Sequence, residues 1–304
     1  MAITTDSVMA DTVPTVLESA RFTSEFIAEM SKLVWNIRKE LHDGKNVNVP
    51  YFGTITARNL TEGVDNTASE TMSDTLVTIT PGEVGCKIIL TDKLVRDNNE
   101  DIKAAAGRLL GNAMEVKRDQ DLLAQLDDAT NSLGAGSTAT LGQIAAARAQ
   151  LKGNPVSSGG PAPGQLAIIH HPYVTLDVVD VLTPLLPFGV ITTAGTALAA
   201  MKAPGGALME EVVRQYAVGR LFGMPWIEDG NIDITTIANS AKGGVFATGE
   251  GGSIILATAA EWEIEPERDA SLRATELNVV GEYGVGEYLA GWIVELNHDA
   301  TLPA

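Results

Sequence analysis

The sequence predicts an α+β protein organised around one long helix, with a thin β-ribbon before it and a return to strands at the end. Three observations carry this. Between Asn98 and Leu133 the apolar residues Ile102, Ala106, Leu109, Ala113, Val116, Leu123 and Leu126 recur mostly three or four apart, which is the helical period. Between Val47 and Leu90, short alternating stretches enclose the polar centre ARNLTEGVDNTASETMSD, a strand-type pattern with a turn-forming middle. Near the end, Leu277, Val279, Tyr283 and Val285 alternate with Glu276, Asn278, Glu282 and Gly284, giving a strand one dry and one wet face.

Taken in order, the first 14 or so residues are small and polar and read as an extended arm. From Val16 to Leu41, Phe22, Phe26, Met30, Leu33, Val34, Ile37 and Leu41 fall at helical spacing until Asp43-Gly44, predicting an amphipathic helix. The ribbon follows. Its roughly forty residues hold few large side chains, and an isolated two-stranded hairpin is marginal in water, so it needs support from a body or from another molecule. The long helix comes next, with Asn98 or Asn99 as cap, Glu100 and Asp101 at the positive end of the dipole, and Gly134 as a left-handed stop. Over 98–133 it would run roughly 50 Å. Its single apolar stripe requires a second layer, and Gly107 and Gly111, four apart on one face, suggest a close approach to the backbone.

Beyond it, LGAGSTAT reads as a small-residue hinge and TLGQIAAARAQL as a second helix. GNPVSSGGPAPG is a surface loop, QLAIIHH a buried strand, and PYVTLDVVDVL a helix opened by Pro172. Residues 183–206, broken by prolines and glycines, predict an ordered loop, and ALMEEVVRQYA predicts a helix. VGRLFGMPWIEDGN predicts two strands about Gly223, ending in a turn at Asp229-Gly230. SIILAT, EWEIEP, LRATELNVVGEYGVGEY and YLAGWIVELN are the strands expected under the long helix. Residues of about 136–258 would then form a compact α/β insertion.

With 304 residues, of which 45 % are hydrophobic, the chain can bury a substantial core. Against 21 basic residues stand 39 acidic ones, a net charge of −18, which excludes a protein that grips nucleic acid by neutralising phosphates. The lone Cys86 excludes an intrachain disulfide framework and reads as inert packing. MAITTDSVMADT has no basic head or apolar core, so no signal peptide is expected, and no apolar run reaches the length of a membrane span; a soluble protein is expected.

Chemistry has little raw material. His170 and His171 are adjacent, and on a strand they point to opposite faces, a poor arrangement for one metal ion. GEGGS at 249–253 lacks the lysine and hydroxyl of a phosphate loop and precedes a strand, so it reads as a tight turn. Glu115, Asp119 and Asp121 beside Lys117 and Arg118 read as a solvated, salt-bridged helix face. DGNID lacks the regular calcium-loop pattern. No catalytic residue, cofactor or metal site is therefore expected. The alternative within enzyme chemistry is an atypical site around His170, His171 and Asp229, which requires a cleft that gathers those side chains.

The order of parts, together with EVKRDQDLLAQLDDA, TLGQIAAARAQL followed by QLAIIHHPYV, GRLFGMPWIEDGN and VVGEYGVGEYLAGWIVELNHDA, resembles the major capsid protein family of tailed bacteriophages, with the Hong Kong 97 fold. The resemblance implies an N-terminal arm with an amphipathic helix (1–46), an extended β-ribbon lying over an adjacent subunit (47–91), a peripheral domain with a spine helix (92–135 and 259–304, the spine at 98–133) and an axial domain (136–258). It implies a structural protein, not an enzyme, that self-assembles into pentamers and hexamers of an icosahedral shell enclosing phage DNA without sequence-specific binding. The place is the virion, assembled in the host cytoplasm without a membrane, with scaffolding, portal or decoration proteins as separate chains. The residues that would meet neighbouring subunits are Phe22 and Phe26 of the arm and Tyr51, Phe52, Arg58, Leu60, Glu62 and Met72 of the ribbon. An encapsulin-type compartment of the same fold is the alternative within this family of shells.

Overall fold

The computed structural model describes residues 28–39, 44–63, 65–67, 69–97, 102–127, 129–182, 219–234 and 239–301. A 3-10 turn at Met30–Lys32 leads into β1 (Trp35–Arg38). The strands β2 (Val47–Phe52) and β3 (Asp74–Ile79) are the ribbon, and β4 (Gly82–Thr91) with α1 (Asp92–Asp97) leads to α2 (Ile102–Asp127). There follow β5 (Ser132–Ser137), α3 (Leu141–Lys152), β6 (Leu166–His170) and α4 (Pro172–Leu182). The described chain closes with β7 (Arg220–Leu221), β8 (Met224–Glu228), β9 (Ser240–Ala247), β10 (Ile254–Asp269), β11 (Ala274–Glu287) and β12 (Ile293–Asp299).

These strands form a four-stranded sheet in the order β1-β10-β11-β4, a six-stranded sheet in the order β5-β12-β9-β6-β8-β7, and the separate pair β2-β3. The helix α2 joins the two larger sheets. Its first half buries Ile102, Ala106, Leu110 and Met114 against Leu90, Leu94, Leu277 and Val279 of the four-stranded side. Its second half buries Leu122, Leu123 and Leu126 in the main core with Ile144, Ile168, Val245, Phe246, Val294 and Leu296. A row of residues four apart winds around a helix instead of running parallel to its axis, so the buried line turns as α2 passes from one sheet to the other. Leu109, expected in the stripe, is accordingly 41 % exposed, and Ala113 faces solvent.

Several elements follow the sequence reading closely. The box at the start of α3 is complete: the Gln143 N–H donates to Thr140 Oγ1 at 3.3 Å, and the Thr140 N–H donates to Gln143 Oε1 at 3.0 Å. Pro172 opens α4, where its missing N–H costs nothing. The β7-β8 turn places Phe222 at φ 51° and Gly223 at φ 81°, as a tight hairpin demands. GEGGS turns through Gly249 and Gly251, both at positive φ, between β9 and β10.

Other elements depart from it. The long helix ends at Asp127, not Leu133, and the expected hinge is the strand β5, parallel to β12. Gly134, at φ 99°, is no helix cap: a Cβ there would stand 2.2 Å from the Asn297 carbonyl oxygen, so it lets two strands close up. At 26 residues the described helix is about 39 Å long. The caps expected at 98–101 lie outside the described residues. Gly107 and Gly111 have nothing within 4 Å of a would-be Cβ, so no described part of this chain makes the close approach expected there. Residues 30–38 are a turn and a strand where a helix was expected, because Trp35–Arg38 pairs in parallel with β10 and completes that sheet's edge. The rest of the expected 16–41 helix, the 183–206 loop and ALMEEVVRQYA fall wholly or mainly outside the described residues. Strand β9 begins Ser-Ala-Lys-Gly-Gly, which carries no strand pattern, yet it is central, between β12 and β6. The last strand, expected beside β10 and β11, instead pairs with β9 from Ile293↔Phe246 to Asp299↔Ser240. Likewise β4, expected in the ribbon, belongs to the four-stranded sheet.

Candidate functional site

The ribbon pairs Val47 with Ile79 at its base and Phe52 with Asp74 at its outer end. The base is held to the body. Val47, Val49 and Ile79 are buried against Ile255 and Ala257 of β10, with Trp35, Ile37 and Tyr288 packed around them. The Tyr288 ring meets Trp35 edge-on at 5.5 Å and Tyr51 at 6.2 Å, and its hydroxyl donates to the Pro50 carbonyl at 3.1 Å. The sequence G-V-G at 284–286 makes this seat possible: a Cβ on Gly284 would lie 2.9 Å from Ile79 Cγ2 and 3.0 Å from the Thr80 carbonyl oxygen.

Past Phe52 the support ends. The described residues from Thr54 to Ser73 are all exposed. Leu60 is 71 % exposed, Met72 66 %, Ile55 60 % and Phe52 55 %. Arg58 and Glu70 form an ion pair at 2.5 Å that ties the two sides of the loop together. A salt bridge this exposed is worth at most about 1 kcal/mol, so it cannot hold the loop alone. Fully burying a large apolar side chain is worth about 1.5–3 kcal/mol, a stabilisation that these residues do not gain from the described part of the chain.

Of the residues expected to meet neighbours, Phe52, Arg58, Leu60, Glu62 and Met72 stand together on this open part of the ribbon. Tyr51 sits at its root, half-buried against Tyr288 of its own chain. Phe22 and Phe26 lie outside the described residues.

The alternative site does not assemble. His170, His171 and Asp229 are 0 %, 6 % and 1 % exposed, and their side chains face different partners. His170 Nδ1 accepts from the His171 N–H at 2.9 Å, so its proton sits on Nε2, 3.0 Å from His298 Nδ1. That leaves His298 Nε2–H to donate to Gln143 Oε1 at 3.2 Å. Burial keeps both imidazoles neutral, lowering His170 well below the ordinary range and His298 to about 4. The result is a neutral relay across β6, β12 and α3. Asp229 faces elsewhere, toward Asp119 of α2, and only its backbone N–H meets the His170 carbonyl, at 3.0 Å. Among the described residues, no three His, Cys, Asp or Glu side chains are grouped to hold a metal ion. No described helix is long and apolar enough to cross a membrane.

Asp119 is a correction to the sequence reading. It is fully buried, accepting from the Met30 N–H at 3.0 Å and from Asn231 Nδ2 at 2.9 Å, while its neighbours keep the expected surface pairs Glu115 with Arg118 and Lys117 with Asp121. The signal for it was the seven-residue gap in the apolar repeat between Val116 and Leu123, inside which one turn had to face inward.

No family model matches the chain, and no curated protein matches it. Solved structures do. A structure from Mycobacterium phage Che8 has a TM-score of 0.67 at 15 % identity, over 93 % of this chain and 96 % of that one. The head structure of Helicobacter pylori bacteriophage KHP40 has a TM-score of 0.69 at 12 % identity, over 99 % of both chains. The acid-stable capsid structure of Helicobacter pylori bacteriophage KHP30 gives 0.67 at 12 % identity, again over 99 % of both. The agreement spans the length of both partners, so it concerns the whole architecture and not one shared module. The chain therefore has the α+β fold of these phage capsid and head structures, the Hong Kong 97 type.

Proposed function

We propose that this protein is a major capsid protein, a shell subunit that assembles into the pentamers and hexamers of an icosahedral shell around phage DNA. One observation carries the reading: a ribbon whose root is packed into the body but whose outer apolar residues, Phe52, Ile55, Leu60 and Met72, find no cover among the described residues. A neighbouring copy is the natural cover, since one repeated contact closes a symmetric shell and buries the same row in every subunit. The likeness to phage capsid structures supports this over other partners. The net charge of −18 suits a container that must not hold the packaged strand by its phosphates. In this reading the four-stranded sheet and α2 make the peripheral part, the six-stranded sheet makes the axial part, and the role is structural, without catalysis. Its place is the virion, with assembly in the host cytoplasm.

Electron microscopy of the purified protein tests the proposal: rings or shells are expected, and a sample that remains monomeric at high concentration overturns it. Deleting residues 58–73 should abolish assembly while leaving the body folded by circular dichroism. Shells that hold a protein cargo and no DNA would move the reading to an encapsulin-type compartment.

A further inference from the structure

Two carboxylates meet inside this protein, with no cation beside them among the described residues. Asp119 comes from α2 and Asp229 from the end of β8, and they are 0 % and 1 % exposed. Among the described residues, their donors are backbone and amide groups. Asp119 accepts from the Met30 N–H and from Asn231 Nδ2; Asp229 accepts from the Asn231 N–H at 2.8 Å and from the Glu29 N–H. The two acids thus hold consecutive N–H groups, those of residues 29 and 30, just before the turn that leads into β1. One oxygen is left over: Asp229 Oδ2 is buried without a donor, and the Asp229 carboxyl lies within hydrogen-bonding reach of the Asp119 carboxyl. Two acceptors cannot bond unless one carries a proton, and two bare carboxylates at this depth would repel strongly.

We propose that Asp119 and Asp229 form a proton-operated clamp on residues 29–30, closed while they share one proton and loosened when it leaves. Among the described residues, the charged groups nearby are turned to other partners. Glu29 turns its side chain outward to Lys32 at 3.0 Å, Arg118 is bonded to Glu115, and the His170 imidazole faces His298. Burial, then the neighbouring Asp119, raises Asp229 from 3.8 to about 7. A raised acid favours the closed form at low pH, so the clamp weakens as pH rises from about 4 to about 7 and changes little above that.

Hydrogen exchange of the full chain, read on peptides spanning residues 28–34 and corrected for the intrinsic base-catalysed rate, tests this. In the wild type, protection should fall by up to tenfold per pH unit between about pH 5 and about pH 7. In Asp229→Asn, whose amide can donate to Asp119 at any pH, it should be flat over that range. Asp119→Asn is the mirror variant, with the same expectation, should the first fail to fold. The same pH dependence in wild type and variant overturns the proposal. So does recovery of wild-type protection at about pH 8 on adding calcium, which would make the pair a cation site instead. The clamp stands or falls independently of the shell reading, since its readout is local to one chain.

Discussion

Tyr283 Oη–H donates to Asp121 Oδ2 at 2.6 Å, fastening β11 to the second half of α2. Beside it Trp262 meets Tyr283 edge-on at 5.7 Å, donates its indole N–H to Glu115 Oε1 at 3.0 Å and lies under the Arg118 guanidinium at 5.1 Å. The helix therefore reads polar at this level while being bonded to the sheet. Tyr283→Phe should cost about 1–2 kcal/mol of stability in chemical denaturation. Burial and Asp121 raise the phenol above the ordinary tyrosine range, so alkaline spectrophotometric titration should give Tyr283→Phe the same early tyrosine transitions as wild type.

Gly281 leaves room for that indole, since a Cβ there would stand 2.2 Å from Trp262 Cε3. Gly281→Ala should cost about 1–3 kcal/mol, and much of the loss should be recovered by adding Trp262→Leu, which removes the ring in the way. A double-mutant cycle on denaturation midpoints checks the coupling.

The ribbon root should depend on Gly284 in a different way. Here the obstruction includes the Thr80 carbonyl oxygen at 3.0 Å and Pro81 Cα at 3.1 Å, which are backbone atoms and cannot rotate aside. Gly284→Ala should raise hydrogen exchange in peptides covering 74–81 at least severalfold while leaving α3 protected. Equal loss in both places would mean that the root is not a separate seat.

On the open part of the ribbon the opposite pattern is expected. Leu60→Asp with Met72→Asp replaces side chains 71 % and 66 % exposed, so monomer stability should change by less than about 0.5 kcal/mol. Assembly, followed by sedimentation and electron microscopy, should fail.

Two of the buried titrating groups, His298 and Asp229, should give stability opposing pH slopes. His298 is lowered from 6.5 to about 4, so its contribution is complete above 6.5 and is lost as pH falls toward 4. Asp229 is raised from 3.8 to about 7, so its contribution is complete at low pH and is lost as pH rises toward 7. Each slope is at most about 1.4 kcal/mol per pH unit. Between about pH 4 and about pH 6.5 His170, which burial also lowers, adds a slope of the same sign as His298; the wild type should therefore gain stability with rising pH, Asp229→Asn more steeply and His298→Gln less steeply. Melting temperatures of the three proteins across that range check it.

Much of this was legible along the chain because it depends on local chemistry. The helical period from Ile102 to Leu126, the Thr140/Gln143 box, Pro172 at a helix start and Phe222-Gly223 in a hairpin are each fixed by residues a few positions apart. The ribbon was legible for a related reason: a stretch this polar and thin cannot close a core of its own. Where the ribbon stops being supported was legible only in outline, because that depends on Tyr288 and Gly284, more than two hundred residues away.

What the sequence determined by itself is therefore the class of fold, the long helix, the unsupported ribbon and the scarcity of catalytic groups, since periodicity, turn chemistry and composition act over short distances. Tertiary structure alone decided that Trp35–Arg38 is a strand, that β9 runs through Gly243 and Gly244, that β12 leaves its hairpin neighbours for β9, and that Asp119 turns inward to Asp229. The physical reason is common to all four. A strand becomes a strand when a partner edge supplies its hydrogen bonds, and a carboxyl becomes a buried acid when folding brings another beside it, and neither partner is near in the chain.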